Sequence, residues 1–138
     1  GYEEYAEQIA QIFRNNINVL EEVINILFYV AEADGNVSKS EEIMIEDIAK
    51  IFGLSKMQYD GIKESRKSSD KLNPYLVLES SPSDSLQTIR KRYLKLSKEH
   101  HPDLLMSKGV PEEIIAESKN KMRSINAAWD QIQKSKSN

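Results

Sequence analysis

The stretch "IRKRYLKLSKEHHPDLL", Ile89 to Leu105, joins an apolar stripe, a cluster of cations and a His-Pro-Asp tripeptide. Together with Leu86, the residues Ile89, Tyr93 and Leu96 recur at offsets of +3, +7 and +10, which is one face of an α-helix. Arg90, Lys91, Lys95 and Lys98 point largely elsewhere, so Leu86 to His100 reads as a basic amphipathic helix. Pro102 stops it. His100, His101 and Asp103 look at first like a metal or catalytic cluster. Adjacent helical residues diverge by about 100°, so the two histidines do not converge as an i, i+4 pair would. A His-Asp pair can orient an imidazole, but no nucleophile is marked by an elbow or activating turn. The plainer reading makes His100 the end of the apolar stripe, Pro102 a helix stop and Asp103 a cap for the next segment.

The flanks extend this pattern. Asn73-Pro74 opens a short helix over Tyr75 to Leu78, since proline suits a first helical turn. Ser80 to Ser85 is a loop rich in capping residues. After the tripeptide, Met106 to Val110 continue a loop. Pro111-Glu112-Glu113 then start a long helix whose buried face is Ile115, Met122, Ile125, Ala128, Trp129 and Ile132. Two antiparallel helices result, with His101-Pro102-Asp103 in the loop at one end.

The N-terminal half is also helical, and almost no strand signal exists. Glu3 to Arg14 places Tyr5, Ile9, Ile12 and Phe13 on one face. Ile17 to Ala33 is apolar over most of its circumference, through Val19, Leu20, Val23, Ile24, Ile26, Leu27, Phe28 and Val30, and belongs in the middle of a bundle. Gly35 ends it in a left-handed conformation. Ser38 or Ser40 caps the next helix, with Glu41 and Glu42 in its first turn, and Met44, Ile48, Ile51 and Phe52 are its buried positions. That helix ends at Gly53, and Ser55 caps another through Met57, Tyr59 and Ile62. Arg66 to Leu72 is polar and without periodicity, and reads as a linker over 67–72.

The 138 residues hold no cysteine, which excludes disulfides, thiolate zinc sites and a cysteine nucleophile. Residues 1–71 carry 8 Lys/Arg and 14 Asp/Glu, a net −6, whereas residues 72–138 carry 11 and 8, a net +3. Two units with different partners fit that asymmetry. Nucleic acid is the rival partner for a basic helix, but a net +3 without exposed aromatics among the charges ranks it low. Val23 to Ala31, the most apolar run, is far shorter than the roughly 20 residues of a bilayer span. The chain opens on Gly1, so it reads as a piece of a longer protein, from which an upstream membrane anchor could have been removed.

Three stretches, "NPYLVLE" (Asn73–Glu79), "IRKRYLKLSKEHHPDLL" (Ile89–Leu105) and "KMRSINAAWDQI" (Lys121–Ile132), resemble a J-domain, the module of DnaJ-type co-chaperones. The tripeptide between two correctly phased amphipathic helices is a specific signal, where the tripeptide alone is weak. The resemblance implies an all-α fold with a J-domain over 73–138. It implies that His101, Pro102, Asp103, Arg90, Lys91, Lys95 and Lys98 dock on a DnaK-type heat-shock chaperone, trigger its ATP hydrolysis and tighten client capture. Neither a cofactor nor enzymatic activity is implied. The sequence departs from the family at Glu79, where glycine is common, at Arg92, where a small residue is usual, at Leu94, where a base is usual, and at Leu104, where lysine is common. The tail after Ile132 is short, so a fourth helix is not expected. No Gly/Phe-rich region or zinc-finger cysteine set is present, so a DnaJ-type client-binding arm is missing.

"AEADGNVSKSEEIMIEDIAKIFGLSKMQYDGI", Ala31 to Ile62, resembles the second part of a TerB-like helical domain. With the loop "LLMSKGVPEE" (Leu104–Glu113), the chain is similar to the DjlA branch of J-proteins, in which a TerB-like domain, here 1–66, precedes a C-terminal J-domain. That branch implies a cytoplasmic location, or the cytoplasmic face of the inner membrane where an anchor lies upstream. The acidic N-terminal unit would recruit a client or localising protein. TerB-like domains are linked to metal binding through acidic residues, for which Asp34, Glu41 and Glu42 are the candidates here. EF-hand ligand spacing is not met, and helix capping explains all three. Two alternatives stand beside the co-chaperone reading: a J-like adaptor that docks proteins without stimulating ATPase, and a metal-binding stress protein acting through the TerB-like half.

Overall fold

A computed structural model describes residues 1–137, and they are helical with no strand among them, as the apolar spacing predicts. The chain folds as two units, Gly1–Tyr59 and Asp60–Asn138.

The first unit holds α1 (Tyr2–Ile12), α2 (Ile17–Ala31), a 3₁₀ turn at Glu32–Asp34, α3 (Lys39–Ile51) and the start of α4 (Lys56–Ser65). Helix α2 buries Val19, Leu20, Ile24 and Phe28, and packs against α3. The Phe28 ring meets that of Tyr59 at 6.0 Å. Helix α1 also packs on α3, but not through the expected stripe. Tyr5 and Ile12 are 69% and 71% exposed, and the buried residue is Ala6, flanked by half-buried Ile9, Ala10 and Phe13. A small side chain at the contact lets two helices approach closely, and the larger residues beside it are turned outward. The buried face of α3 keeps the expected Ile48 and Phe52 but takes Ile45 and Ala49 in place of Met44 and Ile51, which are half-buried.

The punctuation of this unit agrees closely with the sequence. Gly35 has φ +111° and ψ −68°, a glycine conformation but not the left-handed helical one expected. Ser38 caps α3 in a reciprocal box: its Oγ accepts from the Glu41 N–H at 3.1 Å, and its own N–H donates to Glu41 Oε1 at 2.9 Å. Glu41 is thereby held below the ordinary carboxylate range, chiefly by the Ser38 N–H. At the other end Gly53, φ +83°, lets the Gly53 and Leu54 N–H groups bond back to Lys50 and Ala49, and Leu54 is buried beneath the turn. Ser55 and Gln58 repeat the box at the start of α4.

The second unit contains the rest of α4 from Asp60, then α5 (Pro74–Val77), α6 (Leu86–Glu99), α7 (Pro102–Ser107) and α8 (Glu112–Ser137). Helices α5, α6 and α7 all pack on α8. Their core is Leu72, Val77, Leu78, Ile89, Leu96, Ile125, Ala128 and Ile132. Tyr93 lies half-buried beside it, its ring stacked on Trp129 at 5.1 Å with 11° between the planes. Leu86, the first residue of the expected stripe, is 39% exposed. At the start of α8, Ile114 is buried and Ile115 half-buried, one position from expectation.

Residues 67–72, expected as a linker, are turns and bends fastened to this unit. Leu72 is buried in the core. The Asn73 N–H donates to Glu64 Oε2 at 2.6 Å, Ser124 Oγ to the Ser65 carbonyl at 2.6 Å, and Gln131 Nε2 to the Ser69 carbonyl at 2.7 Å. Arg66 pairs with Glu117 at 3.4 Å, both largely buried. A Cβ at Gly61 would lie 3.0 Å from the Leu76 carbonyl oxygen, so α4 approaches α5 closely at this point. Because Leu72 is core, Leu72→Ala should lower stability by about 2–5 kcal/mol, the cost of a large-to-small core change. A solvated linker leucine would cost under about 0.5 kcal/mol, and urea denaturation separates the two.

Candidate functional site

The corner between α6 and α7 carries the tripeptide. Helix α6 ends where the His100 N–H bonds to the Leu96 carbonyl at 3.0 Å, and the His100 side chain is fully buried. The chain then turns into α7, in place of the continued loop expected there. Three local features make that helix. Pro102 occupies its first position, where a missing N–H costs nothing. His101 is its N-cap, with ring Nδ1 accepting the Asp103 N–H at 3.1 Å. Leu105 is fully buried, and α7 packs on α8. Asp103 therefore sits in the first turn of a helix capped by its neighbour, and is not itself the cap.

This arrangement fixes the chemistry of the tripeptide. An Nδ1 that accepts a backbone N–H leaves the ring's proton on Nε2, pointing away from the cap. The Asp103 Oδ2 lies 3.8 Å from Nδ1, too long for a hydrogen bond, and 84% of its side chain is exposed. One imidazole donor and one carboxylate acceptor are thus presented together on a fixed turn. His100 and His101 share no site, since one ring is buried and the other is 54% exposed. The carboxylates of Asp34, Glu41 and Glu42 do not gather among the described residues, and Glu41 is engaged in the α3 capping box.

Arg90, Lys91, Lys95 and Lys98 are all exposed along α6, and none forms an ion pair with another described residue. Arg92 differs: it pairs with Asp84 at 2.5 Å, and the Asp84 carboxyl is held low by the Ser81 N–H first and by Arg92 second. Leu94 is 46% exposed among the unpaired cations, and Leu104 and Met106 are 37% and 50% exposed on α7.

Two features lie behind the corner, one marked in the sequence by Glu79 standing where glycine is common and the other not legible there. Glu79 has φ +51°, the left-handed region, at the end of α5. The N–H groups of Glu79 and Ser80 bond back to Leu76 and Tyr75, a helix-ending turn that normally takes glycine. The Glu79 carboxyl is pushed above its usual range by burial, against the opposing pull of Lys121 and His100. Lys121 is buried on α8 and donates to Ser65 Oγ at 2.9 Å. Periodicity places Lys121 on a helix but cannot show that its partner is a hydroxyl more than fifty residues away.

Comparison with known proteins divides the chain in the same order. Residues 1–64 match the model of the tellurite resistance protein TerB family, and residues 73–138 match the DnaJ domain. The chain is similar to the co-chaperone protein DjlA of Vibrio parahaemolyticus, 27% identical over 86% of this chain and 52% of that protein. It is also similar to those of Haemophilus ducreyi, 26% identical over 94% and 58%, and Escherichia coli K12, 25% identical over 96% and 58%. The chain thus spans just over half the length of these curated relatives. No solved structure gives a significant match. No helix among the described residues is long and apolar enough to cross a membrane.

Glu79 supplies a test of the geometry. A left-handed non-glycine residue costs roughly 1–2 kcal/mol, so Glu79→Gly should raise stability by about 1 kcal/mol. The carboxyl adds a pH term. With its native value raised above 4.5, the folded state holds more protons than the unfolded one just above that pH. Stability from this group is therefore lost as pH rises through the interval. Glu79→Gln should gain on the native chain between about pH 4 and about pH 7, read by urea denaturation at each. A constant difference would mean that the carboxyl is fully solvated.

Proposed function

From a chain that carries a TerB domain followed by a DnaJ-type J-domain, we propose a co-chaperone that binds a DnaK-type heat-shock chaperone and stimulates its ATP hydrolysis. The observation that carries this reading is the His101-Pro102-Asp103 turn, with His101 and Asp103 exposed, capped and anchored at the end of a helix bearing four cations that form no ion pair with another described residue. Arg90, Lys91, Lys95 and Lys98 steer an acidic partner into register. The Nε2–H of His101 and the Asp103 carboxylate then offer one donor and one acceptor to groups on that partner, biasing it toward hydrolysis and client capture. Pro102 holds the turn that spaces them. The N-terminal unit recruits or localises, and the activity belongs in the cytoplasm, or on the cytoplasmic face of the inner membrane where the full-length protein has an anchor.

Single-turnover ATP hydrolysis by a DnaK-type chaperone tests this. The native chain should raise the rate, and His101→Gln should abolish the increase while leaving the fold intact by circular dichroism. Equal rates with and without the native chain would remove the co-chaperone reading. Binding without acceleration would favour a J-like adaptor. The steering charges add a second mark: affinity should fall as salt shortens the Debye length from about 14 Å to about 6 Å, and less steeply for Lys95→Ala.

A further inference from the structure

We propose that Leu94 is an apolar anchor at the centre of the basic face, and that the chaperone surface it meets is an apolar recess ringed by carboxylates. The inference rests on the co-chaperone reading and deepens it. Residues three and four apart on a helix are surface neighbours. The neighbours of Leu94 at −4, −3 and +4 are Arg90, Lys91 and Lys98, and Lys95 comes directly after it. All four are exposed and outside any ion pair with other described residues, and Leu94 itself is 46% exposed. A single exposed leucine is ordinary. One surrounded by cations that are not ion-paired with other described residues is placed to bury itself whenever those cations meet their counter-charges.

The helix cannot use this leucine for itself. The opposite face of α6 is taken up by Ile89 and Leu96 in the core, and Tyr93 is stacked on Trp129. Leu94 is thus the one large apolar side chain in the run Arg90 to Lys98 that faces solvent. That geometry argues against an anionic lipid surface as the occupant. An interfacial helix inserts a whole apolar face, and here that face is buried against α8. One leucine in a ring of cations fits a protein surface of opposite pattern. The electrostatic part of such an interface weakens with salt, whereas the apolar part does not.

The test is binding of the full chain to a purified DnaK-type chaperone in ATP, at about 50 mM and about 300 mM salt. Leu94→Ala should weaken binding about tenfold at both salts, with the salt slope unchanged. Lys95→Ala should weaken binding chiefly at the lower salt. Leu94→Lys, which completes the basic stripe, should steepen the salt dependence and bind more weakly than the native chain at the higher salt. Unfolding midpoints of all three variants should match the native chain, since each site is on the surface. Native-like binding by Leu94→Ala at both salts would overturn the anchor and leave the co-chaperone reading standing. No binding by the native chain would overturn both. Leu94-dependent sedimentation with phosphatidylglycerol vesicles, and none with the chaperone, would replace the protein recess with a lipid surface and overturn the proposal.

Discussion

His100 and Leu105 are both fully buried, and the tripeptide, with His101 and Asp103 exposed, hangs between them. That pair of anchors is the constraint on which the corner depends. Four residues separate two fixed points, so the turn has little freedom to choose its path. Within it, Pro102 fixes one φ angle and the His101 ring ties down the Asp103 N–H. Groups that are already ordered lose less entropy when a partner binds them. A surface loop carrying the same three residues without buried neighbours would display the same chemistry in many arrangements.

The anchors in turn require α8. It receives α5, α6 and α7, and the ladder of Ile125, Ala128 and Ile132 is the wall against which they pack. The same helix reaches back with Ser124, Lys121 and Glu117 to hold the end of α4 and the turns after it. Polar clamps of this kind contribute modestly to stability, because each charge is desolvated to make them. Their value is positional. Hydrophobic burial of Leu72 supplies the larger energy, and hydrogen bonds to named carbonyls decide which register of the segment is held.

Much of this was legible in the sequence because periodicity and punctuation are local. The stripe of Ile89, Tyr93 and Leu96, the caps at Ser38 and Ser55, the stop at Gly53 and the Pro74 start all appear where spacing and side-chain chemistry put them. The corrections have non-local causes. Ala6 displaces Tyr5 and Ile12 from the inner face of α1 because contact with α3, not hydrophobicity, selects the side that goes inward. On α3 Ile45 and Ala49 take the place of Met44 and Ile51, and at the start of α8 Ile114 takes that of Ile115, for the same reason. Helix α7 is too short to show a period, and its cap is a histidine, outside the usual capping residues. The left-handed backbone of Glu79 leaves no mark on periodicity, and only the resemblance, which has glycine at that position, points to it.

The corner also shows how a sequence cluster and a spatial cluster differ. His100, His101 and Asp103 are close along the chain, and that closeness suggests ligation or catalysis. The helix end separates them: His100 goes into the core, His101 turns back onto the backbone of α7, and Asp103 faces solvent. What converges in space is a different set, one donor, one acceptor and a row of cations on the preceding helix. That set presents a pattern of charge and hydrogen-bonding groups at fixed spacing, and on the proposed co-chaperone reading its output depends on a second molecule that has two states to be biased between.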